Sequence, residues 1–261
     1  NLIPRFYDVT EGKISVVGYY VLYPTHASLR SQIGIVPQET LLFGGTIREN
    51  ILYGRLDATQ EEVVEAAKAA NAHDFIADMP DGYDTVVGER GIKLSGGQRQ
   101  RVCIAKTLAI GADVVLADEP TSALDVSIRL GILNLMEQMK KEHNVAFMYI
   151  THDLATARYF AERTAVMYVG HMVEWGETED IIQAPKHPYT QLLISSVPNP
   201  LKRKQKDEKP VHVKNKDIPI WSAASKGCPF VGRCGEAMDK CSDSMPAITE
   251  ISEKHFVRCF L

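Results

Sequence analysis

The chain alternates between short apolar runs and stretches with helical spacing. Ile33 to Val36 is a β-branched run that ends in Pro37-Gln38. From Thr59 the spacing turns helical. Val63, Ala66, Ala67 and Ala70 share one face, and Thr59 with Glu62 forms a capping box. Ser95 and Gln98 repeat that box before Val102, Ala105 and Leu108, and Gly111 offers a stop. Val114 to Ala117 is a continuous apolar run ending in Asp118-Glu119-Pro120, as expected of a strand buried on both faces. Ile128 to Met139 predicts a helix, Val145 to Ile150 a second buried strand, and Leu154 to Ala161 a further helix. Thr164 to Tyr168 and Met172 to Trp175 flank Gly170 as a hairpin. Upstream, Leu2, Ile3 and Phe6 read as the end of an amphipathic helix, and Lys13 to Val17 as a strand. Strands alternating with helices predict an α/β domain with a largely parallel sheet.

The pattern changes after Pro200. Lys202 to Lys216 holds seven basic and two acidic residues with almost no apolar periodicity, which reads as a solvated linker. We therefore expect a main domain over residues 1–200, a linker over 201–226 and a small appendix over 227–261.

The 261 residues are 45% apolar and 24% charged, so a packed core is affordable and wholesale disorder is excluded. The net charge of −4 offers no broad positive field, and no nucleic-acid partner is expected. The apolar runs are far too short to span a bilayer, and a basic-then-apolar leader is missing, so a cytosolic chain is expected. The sequence opens at Asn1, in the middle of a pattern.

Candidate chemistry sits at the ends of these elements. Two glycines in Leu94-Ser95-Gly96-Gly97-Gln98 leave backbone N–H groups bare at a helix start, a ready anion site. An ordinary Gly-rich helix start has the same local sequence. Asp118-Glu119 leaves the carboxyl end of a predicted strand, where parallel α/β sheets bind ligands. One acid there can hold Mg²⁺ and the next can orient a water, although acid pairs are common at such exits. Gln38 and His152 follow two other strands and are weak signals singly. Their order matters more: Gln38 precedes Ser95 by 57 residues, Ser95 precedes Asp118 by 23, and Asp118 precedes His152 by 34. Four of five cysteines fall in the last 34 residues as C-x5-C-x6-C-x17-C: Cys228, Cys234, Cys241 and Cys259. This is not a usual zinc-ribbon spacing, and a disulfide framework conflicts with a cytosolic chain. Iron–sulfur, zinc or unligated thiols remain as readings; Cys103 alone reads as a small core residue.

Taken together, the motifs over residues 1–200 resemble the ATP-binding domain of ABC transporters, an ABC-type P-loop NTPase fold with a helical subdomain at about 39–110. Gln38 resembles the Q-loop, Leu94 to Gln98 the signature, and Val114 to Asp118 Walker B. Glu119 resembles the catalytic glutamate, Ser122 to Asp125 the D-loop, and His152 the switch histidine. The resemblance implies that Asp118 and Gln38 meet Mg²⁺, Glu119 polarises the attacking water and His152 contacts the γ-phosphate of ATP. It implies nucleotide contacts for Ser95, Gly96, Gly97, Gln98 and Asp125. It also implies transmembrane permease subunits and a second ATPase subunit, identical or different, at the cytoplasmic face of the cell membrane.

The resemblance has two sources. Residues 1 to about 100 look like the exporter branch, with Gly45 to Ile51 and an X-loop-like Gly88-Glu89-Arg90-Gly91. From about residue 102, Ala117 to Ser127, His187-Pro188-Tyr189-Thr190 and the terminal cysteines look like dipeptide and oligopeptide importers. We read the chain as a chimera, in preference to one lineage with mixed features. Some of those importers carry a [4Fe–4S] cluster on such cysteines, which implies the same here, with zinc as the alternative.

One motif is missing. The phosphate cradle GxxxxGK[ST] has no match: the one Gly-Lys pair, Gly12-Lys13, has Tyr7 five places before Gly12 and Ile14 after Lys13. The cradle is expected just before Asn1, which makes the domain read as truncated at its N-terminus. Three functions follow: the ATP-driven motor of a transporter, peptide-related by its C-terminal half; a soluble ABC ATPase of repair or translation, disfavoured by one motif set and no heptads; and a catalytically defective fragment or pseudo-ATPase that acts only in trans through its signature.

Overall fold

A computed structural model describes residues 1–16, 18–122, 124–197, 214, 221–222 and 225–261. Most of the expected linker lies outside the described residues. The chain divides into two units, Asn1–His152 and Asp153–Leu261.

In the first unit, Leu2 to Arg5 form a turn, not a helix end. Arg5 takes φ 54°, and the Arg30 guanidinium donates to the carbonyls of Pro4 and Arg5 at 3.0 and 2.8 Å. A two-residue hairpin follows, β1 (Ser15–Val16) with β2 (Tyr19–Tyr20), then α1 (His26–Arg30) and β3 (Ile33–Val36). The helical part comprises α2 (Ile47–Leu52), α3 (Gln60–Ala69), α4 (His73–Ala77) and α5 (Gly96–Ala109). Capping boxes at Thr46/Glu49, Thr59/Glu62 and Ser95/Gln98 start three of these, each satisfying orphan N–H groups of the first turn. Val63, Ala66 and Ala67 are buried as the spacing predicts. After α5 come β4 (Val114–Asp118), α6 (Val126–Glu142) and β5 (Ala146–Ile150). The sheet is parallel, in the order β3-β4-β5.

The expectation of a second buried strand fails at β5. Ala146, Met148 and Ile150 are exposed, and Ile35 on β3 is exposed as well. The reason is position. The exposed residues alternate along β5, and Ile35, Leu116 and Met148 are in register across the sheet, so they share one face that the described residues leave uncovered. β4, the central strand, buries Val115 and Ala117.

The second unit contains α7 (Leu154–Phe160), β6 (Arg163–Tyr168), β7 (His171–Glu177), α8 (Thr178–Gln183), α9 (Pro188–Ser195), α10 (Lys240–Asp243), β8 (Thr249–Ser252) and β9 (His255–Val257). Its antiparallel sheet runs β6-β7-β9-β8. The cysteine-rich segment contributes to this sheet. Its strand β9 pairs with β7, Val257 opposite Glu174 and Phe256 opposite Trp175, so it shares a sheet with the hairpin. The core joins Val166, Tyr168, Val173 and Ile181 to Phe230 and three cysteines.

Candidate functional site

Three of the expected site residues meet at the carboxyl ends of the parallel strands. Glu119 leaves β4 with φ 44°, a left-handed conformation that costs a non-glycine residue about 1 kcal/mol or more. The surrounding hydrogen bonds hold it there. Its N–H donates to the Ile150 carbonyl at 2.9 Å, and the Ser122 N–H and hydroxyl both donate to its carbonyl, at 3.1 and 3.0 Å. The side chain is thereby aimed between two neighbours. Gln38 Nε2 donates to Oε2 at 3.2 Å, and His152 Nδ1 lies 3.0 Å from Oε1. Gln38 follows β3 and His152 follows β5, so one carboxylate gathers the exits of all three strands. The His152 side chain is 72% exposed, and Asp118 is also exposed at the end of β4. An amide, an imidazole and two acids open to solvent form a polar platform on which a phosphate–metal group can be held.

The signature segment borders the same cleft as that platform, which Gln38, Gly96 and Pro120 all line. Ser95 caps α5, its hydroxyl accepting from the Gln98 N–H while the Gln98 side chain accepts from the Ser95 N–H. Gly97 is also required by packing: a Cβ there would stand 2.7 Å from Ile128 Cγ2 on α6. Gly96 is partly open, and its nearest side-chain neighbour is Leu124. Asp125 precedes α6 and is exposed, with no capping hydrogen bond from its side chain. A cleft lined by Gln38, Thr40, Arg90, Arg99 and Gln100 opens between the end of β3 and the start of α5. At its rim Arg90 takes φ 53° between two left-handed glycines, Gly88 and Gly91.

In the second unit the four terminal cysteines line one small cavity, together with His187, Phe230 and Phe260. The Cys228 N–H donates to the Cys241 carbonyl at 2.7 Å, and Gly227, at φ 81°, permits that approach because a Cβ would stand 2.4 Å from the same oxygen. Burial pushes the Cys228 thiol up to about 11, and it raises Cys234 and Cys259 as well. Among the described residues, no three His, Cys, Asp or Glu side chains are grouped as ligands of a metal ion. Cys103 is buried inside α5, far from this set in sequence, as the small core residue expected.

Sequence reading missed the polar group beside this cavity. Glu174 on β7 is fully buried. It accepts from the N–H groups of Lys186 and His187 and lies 2.8 Å from His255 Nε2. His187 is 1% exposed and caps α9, its Nδ1 accepting from the Tyr189 N–H at 3.1 Å. Burial lowers its pKa to about 4, more than Glu174 raises it. The signal was present in the sequence, a single acid within the apolar strand Met172 to Trp175.

Comparison with known proteins matches the two units to different families. Residues 1–122 match the ABC transporter family, and residues 173–241 match the C-terminal region of oligopeptide/dipeptide transporters. The chain is 47% identical over 182 residues to an ATP-dependent lipid A-core flippase of Syntrophus aciditrophicus, covering 70% of this chain and 30% of that protein. It is 48% identical over 182 residues to a putative multidrug export ATP-binding/permease protein of Staphylococcus aureus, covering 70% and 31%. A bacterial Atm1-family ABC exporter solved with ATP bound superposes with a TM-score of 0.67 at 40% identity, over 77% of this chain and 34% of that one. The chain thus spans about three tenths of the length of these curated relatives. Among the described residues no helix is long and apolar enough to cross a membrane. Residues 1–122 thus belong to the ATP-binding domain of the ABC transporter family, and residues 173–241 form an oligopeptide/dipeptide transporter C-terminal region.

Proposed function

We propose that this chain is the ATP-hydrolysing motor part of a transporter, working at the cytoplasmic face of a membrane with permease segments and a second ATPase subunit. The observation that carries the reading is the convergence of Gln38 and His152 on Glu119. Phosphoryl transfer is catalysed mainly by positioning and electrostatic stabilisation. In this reading Glu119 orients a water and His152 senses the terminal phosphate beside it, and their 3.0 Å contact supports the pairing. Asp118 and Gln38 supply the oxygen donors that suit Mg²⁺, which would neutralise phosphate charge. Ser95, Gly96, Gly97 and Gln98 present a capped helix start, and Asp125 an exposed acid, to ATP held by a partner. No GxxxxGK[ST] lies within the 261 residues, so the cradle for the phosphates has to come from outside them.

That last point supports a second reading, in which these residues act only in trans through the signature. One experiment separates the two. The chain is mixed with an ABC ATPase subunit that has a complete cradle, and steady-state ATP hydrolysis is measured with Ser95→Arg and Glu119→Gln variants of the chain. Loss with Ser95→Arg alone supports the trans role. Loss with both supports a motor with two working sites. No response to either sinks the proposal.

Peptides are the cargo favoured by the C-terminal match, whereas the relatives of the first part are exporters by their names. The two family matches, to residues 1–122 and 173–241, favour a chain of mixed origin, although the identity to exporters runs over 182 residues and so extends past the signature. Four thiols on one cavity, three of them buried and Cys259 half-buried, support a metal centre. Four thiolates on one zinc would stand about 3.8 Å apart, given Zn–S bonds of about 2.3 Å. A [4Fe–4S] cluster spreads the same ligands wider, and the resemblance to peptide-importer ATPases favours it over zinc. Cys228, Cys234, Cys241 and Cys259 would hold it, and it would supply a one-electron redox centre. Stoichiometric zinc without iron or sulfide in anaerobically purified protein would overturn the cluster.

A further inference from the structure

Two segments of the second unit converge on one buried carboxylate of a third. Glu174 sits in the middle of β7. Its Oε1 accepts from the Lys186 N–H at 2.8 Å and lies 2.8 Å from His255 Nε2, and its Oε2 accepts from the His187 N–H at 2.8 Å. Lys186 and His187 lead into α9 and bring His187 to the cavity wall. His255 begins β9, and Cys259 follows it by four residues. The other three cysteines are close in sequence, within residues 228–241, and are tied to one another by local backbone bonds such as Cys228 to Cys241. Among the described residues no backbone hydrogen bond ties Cys259 to that group, although the neighbouring Phe260 ring lies 4.9 Å from Lys240 Nζ. Cys259 reaches the cavity at the end of a short strand, with only two paired positions on β7 and one further bond from the Arg258 N–H to the Val173 carbonyl.

We infer that Glu174 is a positioning residue of the cysteine site: by gripping His255 and the His187 backbone together, it keeps Cys259 and the His187 wall in register with the other three thiols. The chemistry explains why an acid occupies a buried strand position. Three N–H donors arrive from two segments, and a carboxylate has the acceptors to meet them all. An amide has one oxygen and would turn its NH₂ toward a donor. An apolar residue would leave all three unpaired. This deepens the reading of the thiols as a metal site, and its test is chosen to stand apart from that reading.

The test uses the whole chain, stripped of metal by chelator under reducing, anaerobic conditions. Each cysteine's rate of alkylation by N-ethylmaleimide is read by peptide mass spectrometry. His255→Leu should raise the rate at Cys259 about tenfold relative to Cys228, because only the tether at one end of β9 opens. His255→Gln restores an N–H donor at the same reach and should return the ratio to that of the unaltered chain. Glu174→Gln should behave like His255→Leu, and if it fails to fold, the His255 pair still decides. An unchanged ratio in His255→Leu, an equal rise at all four cysteines, or no rescue by His255→Gln would overturn the inference. In parallel, each chain is reconstituted with iron and sulfide. Retention in the parent chain and a loss of about 10- to 100-fold in affinity in His255→Leu agrees with the inference. No uptake by the parent chain removes the metal reading alone, and the alkylation ratio still judges the positioning.

Discussion

The platform around Glu119 and the cavity around the cysteines are built on opposite principles. Around Glu119 the side chains of Gln38, Asp118 and His152 face solvent, the apolar side chains of Ile35, Met148 and Ile150 are exposed, and the second edge of β5 is unpaired among the described residues. Around the cysteines, Cys228, Cys234, Cys241 and Phe230 are buried, and the polar groups beside them are satisfied by their own chain. In the proposed function the first arrangement is half a site, whose chemistry would depend on phosphates and contacts brought by other residues. The second is closed, so its stability and its chemistry are the same question. Substitutions in the two places should therefore fail differently.

The largest effect is expected from Glu174→Ala. It leaves the Lys186 and His187 N–H groups and the His255 ring nitrogen buried without their acceptor. Losing one partner of a buried, hydrogen-bonded ionisable pair costs about 3–5 kcal/mol. Urea unfolding followed at the second unit should show that loss, while the transition of the first unit stays in place. A loss below about 1 kcal/mol would break the contrast, because it would mean the cavity's polar group is as replaceable as a surface one.

A second effect depends on pH. Burial holds the His187 pKa at about 4, against an ordinary value near 6.5 in the unfolded chain. Between those values the unfolded state binds the extra proton and the folded state does not. Stability therefore falls as pH drops from about 6.5 to 4 and is fully present above that window, a change of about 3 kcal/mol. Glu174 is the charged group set against this burial, and its opposing effect is already contained in the value. His187→Asn keeps an acceptor for the Tyr189 N–H and removes the titration. In metal-free protein it should flatten the acid limb of the second unit. An equally steep limb in that variant would place the titration elsewhere.

These two residues also mark where sequence reading stopped. The parallel strands, the capped helices and the order Gln38, Ser95, Asp118, His152 were legible because each rests on local chemistry: a cap three residues from its acceptor, or a strand ending in acids. The exposure of β5 was not legible. An apolar run reports that a strand should be covered and not which residues cover it. Nor was the meeting of Glu174 with His255, since the partners are 81 residues apart and neither carries a local pattern. The left-handed backbone of Glu119 was equally hidden, because nothing in Asp-Glu-Pro-Thr announces it. At Gly97 the sequence suggested room for an anion, and the structure adds a packing requirement against Ile128.

The smallest stability change is expected where the chemistry is densest. Glu119→Gln keeps the side-chain volume and an oxygen for Gln38, and His152 is largely in water. Partly exposed ion pairs are worth about 0–1 kcal/mol, so the first unit's unfolding midpoint should move by an amount equivalent to about 0.5 kcal/mol or less. The backbone term does not change either, since Gln pays the same penalty at φ 44° as Glu. Glycine would not pay it. Glu119→Gly should therefore recover part of about 1 kcal/mol of backbone strain, offset by lost side-chain contacts and a more flexible unfolded chain. A near-zero cost of the Glu119→Gln exchange, at a residue held in a strained conformation by three backbone-directed hydrogen bonds, would support the proposed role of its carboxylate. If Glu119→Gln instead destabilised the first unit by several kcal/mol, the carboxylate would be a structural keystone like Glu174, and the contrast between an open platform and a closed cavity would be lost.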